Sequence, residues 1–555
     1  MRVDIANFVD IANFVDIANF PTTLQRDKIP VIGSISLAAL VTIYALVKAG
    51  TSRDTIRVDG KKLKQVPVAP NRWPIFGHLF SLGKKPVFKF SEWHRLLGPL
   101  VRFDLGARQM ILISDPQVAH AIFVTEGEHT SSRASGTYTH DIYAMGGRSL
   151  ATAVYGKEWK NKRTLGKYIV KVKHHASSLL NLLAPKMVDT YTNVIRNEMA
   201  NIATTLASIT EREGSVDPMA TCHLATTNVI LLTCFGTRYP SSDHPKFVKL
   251  VDFVKGHLKV SSVMNDTSAI FPFLSWFDII FRQDSKLKAF IKEYRDAPLK
   301  ELIANARASD KPSMVKTVDQ YKEQYKLEEW DIICFFSDII LAGTDTTAVT
   351  VTWALAILVK YPKVQAKMQA EIDRFRANHD GRMPTFEDRN EFPYMISVQK
   401  ECMRYRATTP FGVPHVTTKD VTWNGYYIPK GSTLLSNMYT MHRSDSVYEN
   451  ANEFIPERFL DNTNTMLAAS NGRLQNRDHY NFGWGRRICP GTHLAEVEMF
   501  DMFVFIFGDY DVKPAEFDKN GNPVYPNVDT GLPGGVVTEP IPYQVRVVPR
   551  ANVVA

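Results

Sequence analysis

The chain has 555 residues, 45% hydrophobic and 22% charged, with a formal net charge of +9, the values of an ordinary folded protein that buries a large core. Its five cysteines (Cys222, Cys234, Cys334, Cys402 and Cys489) are odd in number and widely scattered. That pattern argues against a disulfide framework and for a reducing compartment, and with no Cys-x-x-Cys pair it argues against a zinc site.

Residues 3–20 are three copies of Val-Asp-Ile-Ala-Asn-Phe, a period too short for a solenoid and read as a duplication in a tolerant tail over residues 1–28. Ile29 to Val47 is almost free of charge and ends at Lys48. As a helix it would reach about 30 Å, enough for a hydrocarbon core. Lys48, Arg53, Arg57, Lys61, Lys62 and Lys64 follow it, so the positive-inside rule puts the large C-terminal part in the cytosol. The late position and the lack of a small-residue cleavage site favour a retained anchor over 29–48 rather than a signal peptide. Residues 49–74 are basic and then proline-rich. Pro67, Pro70 and Pro74 bar a continuous helix and predict a stiff hinge before a single body over 75–555.

In that body, Val101–Leu105 and Met110–Ile113 read as two strands around Gly106-Ala107-Arg108. Helical periodicity dominates from about residue 155 to 410, and strand alternation returns at 414–435 and 536–548. The predicted fold class is mainly α with a small β region. Trp159 and Arg163 stand at i,i+4, which puts indole and guanidinium side by side, as would also hold for a surface helix pair. Lys157, Lys160, Lys162, Lys167, Lys171 and Lys173 crowd the same segment, offset mainly by Glu158.

Glu328 to about Tyr361 reads as one long helix, opened by two acids and closed by Pro362. It is apolar on most faces and should cross the core. Its middle, Ala342-Gly343-Thr344-Asp345-Thr346-Thr347, holds a glycine and three threonines, poor choices for a core helix. A local rule broken in a buried element marks a functional site. Further on, Glu401 and Arg404 share a helix face, and Pro456-Glu457-Arg458-Phe459 follows.

The most informative stretch is Phe482-Gly483-Trp484-Gly485-Arg486-Arg487-Ile488-Cys489-Pro490-Gly491. Gly485 and Gly491 permit tight turns that aim backbone amides at the Cys489 thiolate. A helix start after it adds a positive dipole end, and together these are expected to lower the thiol pKa and ready the sulfur for a metal. Arg487 is spaced to reach a second anion on the same side.

This loop resembles the haem-ligand signature of the cytochrome P450 family, Phe-x-x-Gly-x-Arg-x-Cys-x-Gly, at every fixed position from Phe482 to Gly491. The resemblance implies haem (iron protoporphyrin IX) with Cys489 as its metal ligand, the thiolate pushing electron density toward O–O cleavage. It implies that Gly343 leaves room for O2, that Thr346 is the alcohol and Asp345 the acid of proton delivery, and that Trp159 and Arg163 hold a propionate. It brings His442 near a propionate too, and it leaves His415 where many relatives carry an arginine. Glu401, Arg404 and Arg458 would form a buried structural network. The family fold is one mainly helical domain, and the proline stretch resembles the hinge of its microsomal, fungal-type members.

The implied reaction is monooxygenation of a lipophilic substrate, a steroid or terpenoid in the first instance, with electrons from NADPH through NADPH–cytochrome P450 reductase. Cytochrome b5 is a second implied donor, and the lysine-rich face would dock such acidic partners. The implied setting is the endoplasmic reticulum membrane, single-pass, with a cytosolic domain and no nucleic-acid partner. The pocket is expected at Ser131–Val154, Val260–Phe277, the long helix, Phe411–Val416 and Gly534–Thr538. Two other readings stand beside this one: a haem-thiolate isomerase or dehydratase, which would typically lack the Asp345–Thr346 pair, and a non-enzymatic haem-binding membrane protein.

Overall fold

A computed structural model describes residues 55–551 except 84, 135, 165–182, 184, 262–269 and 273–281. The tail and the anchor expected at 29–48 lie outside the described residues, as do Lys167, Lys171, Lys173 and most of 260–277.

Strand β1 (Lys61–Gln65) and helix α1 (Pro86–Leu97) open the body. The two strands read from sequence are β2 (Leu100–Leu105) and β3 (Arg108–Ile113), antiparallel with Leu100 opposite Ile113. Their apolar residues form the interior of the sheet, with Val101, Leu105, Ile111 and Leu112 fully buried. Helix α2 (Lys157–Thr164) follows, then α3 (Thr192–Glu213), α4 (Pro218–Phe235) and α5 (Pro245–Val260). Asp217 caps α4 by accepting from the Met219 N–H, with Pro218 in the first turn.

The long helix α6 runs Glu329–Leu358. Glu328 is its cap, and Asp331 closes a reciprocal capping box with it, which is why the helix starts at the two acids. Both α4 and α6 are apolar enough to cross a membrane by composition, yet most of each is buried inside the protein, so they are core helices. They pack closely at one point. A Cβ on Gly343 would meet Cδ1 of Ile230 at 2.5 Å. Gly343 therefore lets Ile230 of the neighbouring helix approach α6 closely.

Helix α7 (Pro393–Tyr405) carries Glu401 and Arg404. The β region comes next: β4 (His415–Val416), β5 (Val421–Trp423), β6 (Tyr426–Ile428) and β7 (Thr433–Ser436). β3 pairs in parallel with β7, which takes β4 on its other edge. β6 pairs with β5 and, in parallel, with β1. The stretch read as a hinge is therefore built into the domain from Lys61 onward. Ala69 donates its N–H to the Arg102 carbonyl at 2.8 Å, and Arg102 donates back to Pro67 at 2.8 Å. Proline bars a helix but accepts at a strand edge, so the prolines were compatible with either outcome. The last elements are α8 (Thr492–Asp509), β8 (Tyr510–Pro514), the hairpin β9 (Gly531–Gly534) and β10 (Val537–Pro540), and β11 (Val545–Pro549), which pairs with β8.

Candidate active site

The cysteine loop ends where α8 begins. The Cys489 N–H donates to the Phe482 carbonyl at 2.9 Å, closing the loop on its first residue. Gly485 has φ +54°, and a Cβ there would meet the Phe123 carbonyl oxygen at 2.4 Å, so this glycine is required twice over. Gly491 has φ −88° and serves as the residue before α8 rather than as a left-handed turn. Cys489 is half-buried, whereas the other four cysteines are fully buried. Burial pushes Cys222, Cys234 and Cys334 up to about 12. Burial also raises Cys489, against the Gly491 amide, the Thr492 hydroxyl and the Arg163 charge, which all pull it down. The expected net lowering is not met in the protein alone, because desolvation outweighs the three stabilising groups.

Three guanidinium groups converge beside this loop. Arg163 donates to the Ile488 carbonyl at 2.8 Å and lies 5.2 Å from the Trp159 ring centre. Arg487 sits 4.0 Å from the same ring and donates to the carbonyls of Ser131 (2.8 Å), Leu150 (3.1 Å) and Ala153 (2.6 Å). Trp159 Nε1 donates to Leu150 as well, at 3.0 Å. The third is Arg133, which the sequence reading missed. Its Nη1 donates to the carbonyls of Val413 and Pro414, each at 2.7 Å. None of the three has a carboxylate partner among the described residues. Burial and mutual repulsion bring Arg133 down to about 9 and Arg487 to about 8. Like charges held together, partly or fully out of water, with no anion among the described residues fit a group carrying two carboxylates of its own. That is the fit haem requires, with its thiolate ligand beside its propionate cations.

His415 belongs to the same cluster. Its ring is buried, its Nδ1 lies 2.8 Å from the Thr130 carbonyl, and Phe123 packs on it at 4.8 Å. Burial and the charges of Arg133 and Arg487 hold its pKa well below the ordinary value, so it faces the cluster as a neutral imidazole. His442 does not join it. Nε2 of His442 accepts from the Tyr480 N–H at 2.9 Å, and its ring stacks on Tyr480 at 5.6 Å. Its carbonyl accepts from Arg404. His442 thus links the Arg404 network to the Tyr480 side of the cysteine loop, and its buried Nδ1 has no hydrogen-bond partner among the described residues.

That network has the predicted members. Arg404 reaches both Glu401 oxygens at 2.7 and 2.8 Å, and Arg458 reaches one at 3.1 Å. Glu401 and Arg404 are fully buried.

On α6, most of the helix is buried, but Ala342 is exposed and Gly343 and Thr346 are partly so. Positions 342, 343 and 346 share a face, so this face borders open space in an otherwise packed helix. Thr346 Oγ1 donates to the Ala342 carbonyl at 2.7 Å, which leaves its oxygen lone pairs available. Asp345 is buried on a different face. About two turns earlier, Asp338 accepts from Tyr143 Oη (2.7 Å), Ser149 Oγ (3.0 Å) and the Leu150 and Ala151 amides (2.7 and 3.2 Å). This carboxylate fixes the loop whose carbonyls hold Trp159 and Arg487. Nothing local in the sequence marked it.

A chamber of about 770 Å³ lies against β10, α5 and α6, within the range of small-molecule sites. Phe90, Leu258, Trp353, Phe411 and Val536 line it. Of the expected pocket segments, 411–416 and 534–538 contribute, the long helix contributes Trp353, and 131–154 contributes nothing. Neither Cys489 nor Thr346 lines it.

The Cytochrome P450 family model matches residues 67–547, and the chain belongs to that family. A cytochrome P450 monooxygenase of Armillaria gallica is 27% identical over 530 residues, 93% of this chain and 95% of that protein. A steroid 17-alpha-hydroxylase/17,20 lyase of Rana dybowskii is 30% identical over 489 residues, 85% of this chain and 88% of that one. A zebra fish cytochrome P450 solved with progesterone superposes with a TM-score of 0.67 at 23% identity, covering 84% of this chain and 99% of that chain. The protein is a monooxygenase of fungal type with the P450 fold, and membership implies a haem cofactor.

Proposed function

We propose that this protein hydroxylates a lipophilic small molecule, with haem ligated by Cys489 and electrons delivered from NADPH by a separate reductase. The observation that carries the reading is the half-buried Cys489 beside the guanidinium groups of Arg133, Arg163 and Arg487, which have no carboxylate partner among the described residues. Haem, when bound, supplies the binding and cleavage of dioxygen. Arg133, Arg163, Trp159, Arg487 and neutral His415 hold its acidic edge. One oxygen atom enters the substrate and the other leaves as water, which consumes two electrons and two protons. Thr346, at the open face of α6, holds one proton position, and Asp345 resupplies it.

The relative named as a steroid hydroxylase and the solved neighbour with progesterone support steroids as the first substrate class, with terpenoids next. A spectral-shift screen of both classes at the haem Soret band, followed by NADPH consumption with and without O2, tests the reading. Oxygen-independent turnover would favour the isomerase or dehydratase alternative.

The roles of Thr346 and Asp345 give a separable expectation. Thr346→Ala removes one exposed hydroxyl and should leave the fold and the substrate spectral shift intact. Positioned proton relays contribute about 10²–10⁴-fold. NADPH consumption should continue while product per NADPH falls and peroxide rises. Wild-type coupling in Thr346→Ala would transfer that role to a water or to the substrate's own hydroxyl.

For location, the reading is a tail (1–28), an anchor (29–48), a short basic linker and a domain folded from Lys61, set in the endoplasmic reticulum membrane facing the cytosol. NADPH–cytochrome P450 reductase and cytochrome b5 are the proposed partners. Trp73 and Phe80, 52% and 47% exposed with ring centres 5.7 Å apart, support a second apolar contact with the bilayer. Deleting residues 1–54 should weaken membrane attachment without abolishing it, and haem should be retained. Carbonate extraction and haem content read the two outcomes. Loss of haem would move the domain boundary toward the N-terminus.

A further inference from the structure

The charged side chains on the chamber wall, among the described residues, are Lys85, Lys255, Lys259, Arg406, Asp529 and Glu539. The three lysines and Asp529 are exposed, and Glu539 is half-buried. Arg406 alone of these is buried, at 7% exposed.

Its charge is poorly neutralised. Arg406 Nη2 donates to Asp529 Oδ1 at 3.0 Å, but that carboxylate is 83% exposed. Arg406 Nη1 donates to the Tyr405 carbonyl at 2.7 Å, and Nε has no hydrogen-bond partner among the described residues. Arg443 donates to the same Tyr405 carbonyl at 2.8 Å, and each guanidinium lies 4.3 Å from the Tyr405 ring centre. Two neighbouring cations thus share one well-hydrated anion. An exposed carboxylate is a weak counter-ion, whereas a buried cation needs a close one.

The cation is held on a firm wall. The Thr408 carbonyl accepts from the Thr538 N–H at 2.8 Å, and Thr408 Oγ1 lies 2.7 Å from Thr350 Oγ1 on α6. Trp353 Nε1 donates to the Thr538 carbonyl at 2.8 Å. Positions 346, 350 and 353 share a face of α6. Trp353 lines the chamber, so that wall stands about 10 Å along the same stripe from Thr346.

We propose that Arg406 binds the carboxylate of an acid-bearing lipophilic substrate, displacing Asp529. Nε and Nη2 form one edge of the guanidinium, and a carboxylate accepts from both, whereas Asp529 takes Nη2 alone. Asp529 is already mostly in water and loses little on leaving. The aromatic wall of Phe90, Trp353 and Phe411 takes the apolar body. One buried cation among apolar groups suits a single carboxylate rather than a phosphate. The carbon that is oxidised is then remote from the acid end. This rests on the reading of the protein as a monooxygenase of lipophilic molecules and narrows the substrates to acids.

The test is equilibrium dialysis of the haem protein, without reductase or NADPH, against two matched pairs: cholanic acid and its methyl ester, and abietic acid and its methyl ester. The wild type should hold at least one acid about tenfold or more tighter than its ester. Arg406→Gln should weaken that acid about tenfold or more and leave the ester unchanged, and Arg406→Lys should restore part of the preference. Asp529→Asn should tighten the acid several-fold, because the resident competitor is gone. With reductase and NADPH added, the product should carry its new hydroxyl away from the carboxylate.

No preference for either acid in wild type, equal losses of acid and ester in Arg406→Gln, or acid binding no tighter in Asp529→Asn would overturn the site. Oxidation beside the carboxylate would overturn the orientation. Acid binding that depends on Arg406 but leads to no oxygen-dependent product would leave the site standing and sink the monooxygenase reading instead. If Arg406→Gln does not fold, Arg406→Lys and Asp529→Asn decide the matter.

Discussion

Cys489→Ser should abolish the reduced-carbonyl absorption that marks thiolate-ligated haem, while Cys222→Ser, Cys234→Ser and Cys334→Ser keep it. The reason is geometric as well as chemical. The other thiols are fully buried inside the helical core and held up to about 12 by desolvation. Cys489 alone is half-buried, at a helix start, with the Gly491 amide, the Thr492 hydroxyl and the Arg163 charge favouring its thiolate. A serine keeps the loop hydrogen bond from residue 489 to the Phe482 carbonyl, which belongs to the backbone. The fold should therefore persist, and the loss should fall on the spectrum and on turnover. The check is a carbonyl difference spectrum of the four variants at equal haem. A thiolate band in Cys489→Ser would sink the assignment of the ligand.

Glu401→Leu should prevent accumulation of folded protein. The carboxylate neutralises Arg404, fully buried, and Arg458, 9% exposed, and it also accepts the Ile455 N–H at 2.9 Å. Removing one partner of a buried ion pair costs about 3–5 kcal/mol because the remaining charge stays desolvated. Two guanidinium groups are stranded here, against a total stability of about 5–15 kcal/mol for a typical domain. Arg404 additionally ties the carbonyls of His442, Ala451 and Glu453 to α7. Losing it would free the segment behind the cysteine loop. The control is Glu457→Ala, whose pair with Lys367 is 44% and 60% exposed. Exposed pairs contribute about 0–1 kcal/mol, so that variant should unfold at nearly the wild-type midpoint. Denaturant unfolding and yield of haem-containing protein measure both. A Glu401→Leu protein within about 1 kcal/mol of wild type would show that the network is dispensable.

The parts of the site legible in sequence were those in which spacing along the chain carries the chemistry. The cysteine loop is one contiguous segment. The Trp159–Arg163 and Glu401–Arg404 pairs depend only on helical spacing, and the long helix announced itself through its capping acids and unbroken apolar run. The strands at 100–113 were visible because a short apolar run flanked by a Gly-containing turn has few other solutions.

What escaped was contact between distant segments. Arg133 sits in an unremarkable loop and joins the guanidinium cluster only because Val413, Pro414 and Arg487 come to it. Asp338 and His223 lie in helices where an acid or a histidine is commonplace, and the groups they meet are 187–195 and 122 positions away along the chain. The stacking of His442 on Tyr480 was likewise invisible in the sequence. Residues 61–69 read as a hinge because proline excludes helix, but the edge of a sheet was waiting for them.

The sequence by itself determined the family, the mainly helical class and the members of the buried ion network, because local geometry and residue chemistry suffice for those. Tertiary structure alone decided which cations gather without an anion, which glycine admits a helix and which carboxylate is left with an unpaired oxygen. Those properties are set by desolvation and by the sum of charges around a point, and neither exists until the chain has folded.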